Sequence, residues 1–350
     1  MTVYIGVDFH ARVQTVCWCD LADGEIQVRE LHHQEDDIRG FYAPFQGEVI
    51  VGVEASGYST WFEEMLHELG YHVWLGNARE IRRLAKRRQK TDRRDAELIL
   101  DLLLSDEFPR IYQPSPQSRE VLRMLRYRHR LVKMRTMAKN SVPALAISVG
   151  LPLKRRLLTK GGREMLLAAP MSPVMSQQRE QWLSLLTELD QRIAPLDAWL
   201  QEQAHGDPRV ERRRTHPGLG LLTSLSLVHT LSPVQRLATS RKVVAYVGLD
   251  PMERSSAEKK RYLGISQEGS RLLRFLLVEA ARASIKVDPE LNRFYRRLVY
   301  RRGPQKAIVA VARQLLIRAY IRLRDEIDYA EFLRRGVEAR SARSVHRQQA

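Results

Sequence analysis

Residues 48–55, EVIVGVEA, are apolar almost without a break and end in Glu54. A run this short without polar alternation predicts a strand buried on both faces, which needs a sheet with cover on each side. A second such run, VYIGVD (3–8), ends in Asp8. VQTVCWCDL (13–21) alternates sides, and the turn residues Asp23 and Gly24 lead into IQVREL (26–31), so three strands follow one another as hairpins. STWFEEMLHEL (59–69) has helical spacing and stops at Gly70. HVWLGN (72–77) is again a strand, with helical segments through residue 104. The expectation is an α/β unit, a mixed sheet flanked by helices.

Ending a buried apolar run in a carboxylate is costly unless the charge has a use. A third acidic feature, TDRRDAELIL (91–100), carries Asp92 and Asp95 three apart at the start of a helix, directly after the basic run REIRRLAKRRQK (79–90). Taken singly, these acids have ordinary explanations: strand caps, or charges that offset a helix dipole. Taken together they point to metal. The strand order is that of the RNase H-like fold, in which the strands bearing Asp8 and Glu54 are parallel neighbours, so both carboxylates leave the sheet at one end. Asp92 and Asp95 share a helix face and can point there too. Four converging carboxylates with no lysine interposed repel unless cations lie between them. Hard oxygen ligands select Mg²⁺ or Mn²⁺, and two such ions about 4 Å apart stabilise both the attacking and the leaving oxygen of a phosphoryl transfer. Arg82, Arg83, Arg87 and Arg88 would hold a phosphate backbone beside them.

The charge balance names the partner class. Lysine and arginine outnumber acids 58 to 41, a net +17 over 350 residues, and the excess is spread along the chain. A distributed positive field of this size predicts a nucleic-acid partner. No bilayer-length apolar span, signal peptide or lipidation motif is evident, which predicts a cytoplasmic, nucleoid-associated protein with no membrane role. Cys17 and Cys19, separated by one residue and without a second metal-spaced pair, read as strand packing residues in a reducing compartment.

The expected organisation is a catalytic unit over 1–115, a helical segment over 116–205, a C-terminal unit over 206–335 and a basic disordered tail over 336–350. In the second, Leu122, Leu125, His129 and Val132, and later Trp182, Leu186, Leu189, Ile193, Leu196 and Leu200, recur three and four apart. That is a coiled-coil seam, closed either within one subunit or between two; Pro195 interrupts the ideal pattern. In the third, HPGLG (216–220) before an apolar helix resembles a helix-hairpin-helix element, whose backbone N–H groups, around Gly218 and Gly220, grip a phosphate. After RKVVAYVGLDP (241–251) comes a polar loop, 252–270, and then helical segments at 271–285 and 306–326.

Asp8 in IGVDFH, Glu54 in VGVEASGYST and TDRRDA together resemble the DEDD tetrad of the insertion-sequence 110 family of transposases. The resemblance continues through HPGLG, AYVGLDP, the SSA triplet and GISQEGSRLLRFLLVEAA to about residue 325. It implies a RuvC-like RNase H domain, a coiled-coil segment and a mainly α C-terminal transposase domain. It further implies a serine in the last domain that attacks DNA, and an element-encoded guide RNA that specifies donor and target DNA. The matching serine is Ser256, with Ser255 beside it; Ala257 stands where the family usually has glycine. Spacing alone does not separate these two from Ser266 and Ser270. Lys259, Lys260 and Arg261 are candidate phosphate contacts. The expectation is a Mg²⁺-dependent (or Mn²⁺-dependent) DNA recombinase acting as a homodimer or homotetramer. Its rivals are a structure-selective nuclease that activates water without a covalent step, and a basic nucleic-acid-binding protein that does no chemistry.

Overall fold

The computed structural model describes residues 2–57, 59–85, 91–151, 157–256 and 259–348. They form two compact units, residues 1–113 and 114–350.

The first unit contains β1 (Thr2–Phe9), β2 (Val13–Asp20), β3 (Ile26–His32), α1 (Ile38–Tyr42), β4 (Glu48–Glu54), α2 (Thr60–Glu68), β5 (His72–Gly76), α3 (Ala78–Leu84) and α4 (Asp92–Leu104). Its five strands lie in the order β3-β2-β1-β4-β5. β2 is antiparallel to β1 and to β3, whereas β4 is parallel to β1 and to β5. This mixed sheet is compatible with an RNase H-like fold. One face is closed by Val3, Ile5, Val7, Val51 and Val53 against Phe62 and Leu66 of α2. On the other face α4 lies across β1, β2 and β4, with Ile99 and Leu103 against Ile50 and with Ala96 and Leu100 against Cys17 and Cys19. The cysteines are buried, unbridged packing residues, and burial pushes the Cys17 thiol up to about 12.

Gly6 and Gly52 pair across β1 and β4 directly beneath α4. A Cβ on Gly6 would come within 2.5 Å of the Ala96 carbonyl oxygen and the Leu100 nitrogen; one on Gly52 would meet the Leu103 and Ile99 side chains at 2.9 and 3.1 Å. The paired glycines are a shallow trough that seats the helix. Asp8 and Glu54, each two residues further along its strand, lie on the same face.

The second unit contains α5 (Pro116–Ser148), α6 (Lys160–Ala168), α7 (Pro173–Ala204), α8 (Pro208–Arg214), α9 (Leu221–Leu231), α10 (Ser240–Val247), β6 (Pro251–Ser256), β7 (Lys259–Ile265), α11 (Arg271–Val287), α12 (Pro289–Arg302), α13 (Pro304–Arg324) and α14 (Tyr329–Gln348). The heptad-like seam closes within the chain. Leu131 of α5 packs with Leu189 and Ile193 of α7, and Arg128–Asp197 and Arg135–Asp190 (2.7 Å) bracket the contact, so the helices run antiparallel. One continuous core joins Leu122, Leu125 and Leu200 of this hairpin to α9, α11 and α13, so 116–205 is not set apart from the helices C-terminal to it.

Two readings change here, at 252–265 and at 336–348. Residues 252–265, expected as part of a polar loop, lie in the antiparallel hairpin β6–β7, with Ser255 opposite Lys260 and Ser256 opposite Lys259. The segment PELNRFYRRLVYRR forms α12 although Leu291 is its sole buried residue, because Pro289 starts it and Asp288 caps it by accepting from the Leu291 N–H. Residues 336–348, expected as a disordered tail, continue α14. Arg, Ala and Glu favour helix without a core, and the Arg334–Glu338 and Arg335–Glu331 pairs span one turn.

Candidate active site

Asp8 comes off the end of β1 and is 8% exposed. The chain then turns, the His10 N–H bonding the Val13 carbonyl, and this turn folds the His10 ring back over the strand end. His10 Nε2 lies 3.2 Å from Asp8 Oδ2 and 3.8 Å from Asp92 Oδ1. One ligand atom from each of Asp8, His10 and Asp92 falls within 4.8 Å of the other two. Two carboxylates and an imidazole at that spacing fit a divalent cation: the acids repel one another unless positive charge lies between them, and the neutral ring offers a nitrogen lone pair.

Asp92 and Asp95 occupy the first turn of α4, capped by Thr91, whose hydroxyl accepts from the Arg94 N–H at 3.4 Å. For Asp92 the helix-dipole and metal readings are therefore compatible, because a helix N-terminus seated at the strand ends puts it beside Asp8 and His10. Asp95 lies outside the three-residue group and lines a separate cleft with Leu84, Ala85, Glu97 and Asp101.

Glu54 ends β4, one strand over. The register pairs Val7 with Val53, so the next residues, Asp8 and Glu54, leave adjacent parallel strands side by side. Glu54 Oε1 accepts from Arg82 Nη2 of α3 at 3.2 Å. Two basic side chains other than lysine stand among these acids: Arg82 sits on Glu54, and His10 lies between Asp8 and Asp92. Arg83 pairs with Glu80 one turn back at 2.6 Å. Arg87 and Arg88 lie outside the described residues.

His10 is the functional candidate that sequence reasoning missed. Its signal was positional: a metal-binding residue type two places after a strand-ending acid, in a turn tight enough to bring it back.

In the second unit Ser256 is the last described residue before the hairpin tip, and Ala257 lies outside the described residues. Lys259, Lys260 and Arg261 begin the returning strand. The other two serines of the stretch are engaged: the Ser266 hydroxyl donates to the Asp250 carboxylate, and Ser270 caps α11 by accepting from the Leu273 N–H at 3.2 Å. Gly218 is turned into the protein, where an added Cβ would strike Ser284 and Ala280 of α11, while Gly220 opens α9 with free space around it. Among the described residues no helix is long and apolar enough to cross a membrane.

Residues 5–146 match the DEDD transposase family profile of the insertion-sequence 110 type, and residues 211–296 match the profile described as transposase IS116/IS110/IS902 family. The chain is 28% identical over 318 residues to a probable family 20 transposase of Pseudomonas aeruginosa, covering 88% of this chain and 93% of the relative. It is 28% identical over 320 residues to the transposase for insertion sequence element IS1111A of Coxiella burnetii, covering 88% and 86%. With the transposase for IS1328 of Yersinia enterocolitica it shares 26% identity over 240 residues, 67% of this chain and 70% of the relative.

Proposed function

The chain belongs to the IS110/IS116/IS902 family of insertion-sequence transposases, and from that premise we propose that it recombines DNA through a serine–DNA link, with a guide RNA choosing the sites. The observation that carries the reading is the group Asp8, His10 and Asp92 at the strand ends, within the stretch matching the DEDD profile. These three residues would hold a divalent cation, Mg²⁺ or Mn²⁺, with Glu54 at the end of the neighbouring strand. Such an ion, when bound, supplies Lewis-acid stabilisation to the oxygens of a phosphodiester.

The protein's own groups do the rest. Asp8, held in place by burial, fixes the position of the acids against the sheet. Arg82, exposed on α3, turns from Glu54 to an arriving phosphate, and the basic stretch around it neutralises the strand. Ser256 attacks phosphorus; one Oγ–P bond forms as one strand P–O bond breaks, and the proton lost by the serine hydroxyl is matched by one gained at the released strand oxygen. Exchanging one phosphoester for another conserves the bond energy, so the strand can be rejoined without an external energy source. Engagement of Ser266 and Ser270 in structural bonds supports Ser256, with Ser255 next to it, as the nucleophile. In this reading Lys259, Lys260 and Arg261 flank the serine as phosphate contacts, Gly220 opens α9 toward another, and the protein works as a homodimer or homotetramer in a RuvC-like arrangement.

Asp92→Asn should abolish recombination while leaving folding and nucleic-acid binding intact. Wild-type protein stopped mid-reaction should carry a DNA strand on a peptide containing Ser256, and Ser256→Ala should carry none. Because the cation-holding group needs no residue of the second unit, water activation is the second reading. Strand cleavage by Ser256→Ala and Ser255→Ala alike, with no protein–DNA adduct, would establish it.

A further inference from the structure

Within the second unit, a cleft of about 750 Å³ opens between α5 and the start of α11. Arg126, Arg130 and Lys133 line one wall, Arg271 lines the other, and no carboxylate lines it. None of these four cations forms an ion pair within 4 Å among the described residues. Burial and then Arg123 lower Arg126, while burial and then Lys133, Arg128 and Arg271 lower His129, so both groups on this wall sit in a positive field. A protein keeps such a group together only at a cost, which an anion relieves.

Arg126, Arg130 and Lys133 are four and three residues apart on α5, a row about 10 Å long. That length suits successive anions on a chain better than one small anion. Beside the row stands an aromatic surface: the Phe275 ring, 44% exposed, meets the His129 ring at 4.7 Å between centroids, and Tyr246 lines the same cleft. Acidic peptides gain little from an exposed flat ring, whereas unpaired bases stack on one whatever their sequence.

We propose that this cleft binds an unpaired stretch of a nucleic-acid strand, its phosphates along Arg126, Arg130, Lys133 and Arg271 and a base stacked on Phe275. The assignment rests on the proposed function, which requires nucleic acid to be handled, and adds a single-strand site whose lining includes neither the acids nor Ser256. A base paired in a duplex cannot present its face to Phe275, so the site discriminates against double strands through the ring and not through the cations.

The test is fluorescence anisotropy of the full-length protein with labelled single-stranded RNA, single-stranded DNA and duplex DNA. Phe275→Ala should weaken single-strand binding roughly 10-fold and leave duplex affinity within about twofold, and Phe275→Trp should retain single-strand affinity. Arg126→Gln with Arg130→Gln should reduce the slope of log affinity against log salt by about 1–2. The preferred strand in the RNA and DNA arms identifies the source of the ligand. Unchanged single-strand affinity in Phe275→Ala, an equal loss for duplex, or displacement by polyglutamate as readily as by oligonucleotide would overturn the assignment. Wild-type protein with no affinity for any nucleic acid would instead sink the proposed function.

Discussion

His10 reaches two acids that come from opposite ends of the first unit's sequence. Its Nε2 is within 3.8 Å of both Asp8 and Asp92, so in the proposed function it would either ligate the cation or orient the carboxylates that do. In both roles its removal loosens metal binding before it damages the fold, because the side chain is about half exposed. His10→Ala should raise the Mg²⁺ or Mn²⁺ concentration needed for half-maximal cleavage roughly 10-fold or more, with activity returning at high metal. A metal titration superimposable on wild type would reduce His10 to a turn residue. Asp8, Glu54, Asp92 and Asp95 were legible as candidates because each breaks a local pattern: two end buried strands and two open a helix beside a basic run. His10 breaks no pattern, since a histidine in a polar turn is ordinary, and only the folded turn gives it a neighbour. Arg82 was legible as a cation but its partner was not, because nothing in the local sequence ties α3 to the end of β4.

At the scale of elements, α4 carries half of the acids and is seated by Gly6 and Gly52. The two glycines are not equivalent. A methyl on Gly6 meets backbone atoms of α4 that cannot yield, whereas one on Gly52 meets the tips of leucine and isoleucine side chains that can. Gly6→Ala should therefore cost about 1–3 kcal/mol in urea unfolding and displace Asp92 enough to lower cleavage, with Gly52→Ala costing clearly less. Equal stabilities of the two variants would mean that the helix is not seated by this trough. The succession of strands was readable from apolar runs, whose pattern depends on burial, whereas which strands are neighbours came from likeness to the RNase H-like order. Periodicity also marked the α5–α7 seam, but a three-and-four repeat states that a helix has a partner, not whose. The β6–β7 hairpin was missed because its alternation is masked by charge: KKRYLGI carries three cations before its first apolar residue.

At the scale of the whole molecule, a buried histidine ties stability to pH. The second unit buries His216 at 1% exposure against Tyr329, and burial, only partly countered by the Pro217 carbonyl, pulls the ring down to about 4, with Arg322 and Arg318 adding to the fall. Asp288, bonded to Arg318, the Tyr329 hydroxyl and the Leu291 N–H, is raised by burial, but these partners outweigh it and the net direction is downward. For His216 the unfolded chain, with its ordinary value near 6.5, binds the proton more readily. The stability of the unit is thus whole above that value and falls as pH drops from 6.5 toward 4, by about 3 kcal/mol at most. Asp288 adds a further loss below the ordinary carboxylate range. His216→Phe should flatten the fall between pH 6.5 and 4 in calorimetric scans of the full chain, with Ser284 still donating to the Pro217 carbonyl at 2.7 Å. An unaltered pH profile would place the acid sensitivity elsewhere.

The seat beneath α4 also has a consequence during synthesis. Asp8 and Glu54 leave the ribosome early, but Asp92 and Asp95 belong to the final helix of their unit and reach the strand ends only once that helix has settled on Gly6 and Gly52. A truncated or stalled product that ends before residue 92 holds two of the four acids and no means of gathering them. For a cell that carries such an element in its own chromosome, the blade is not open until the handle is finished.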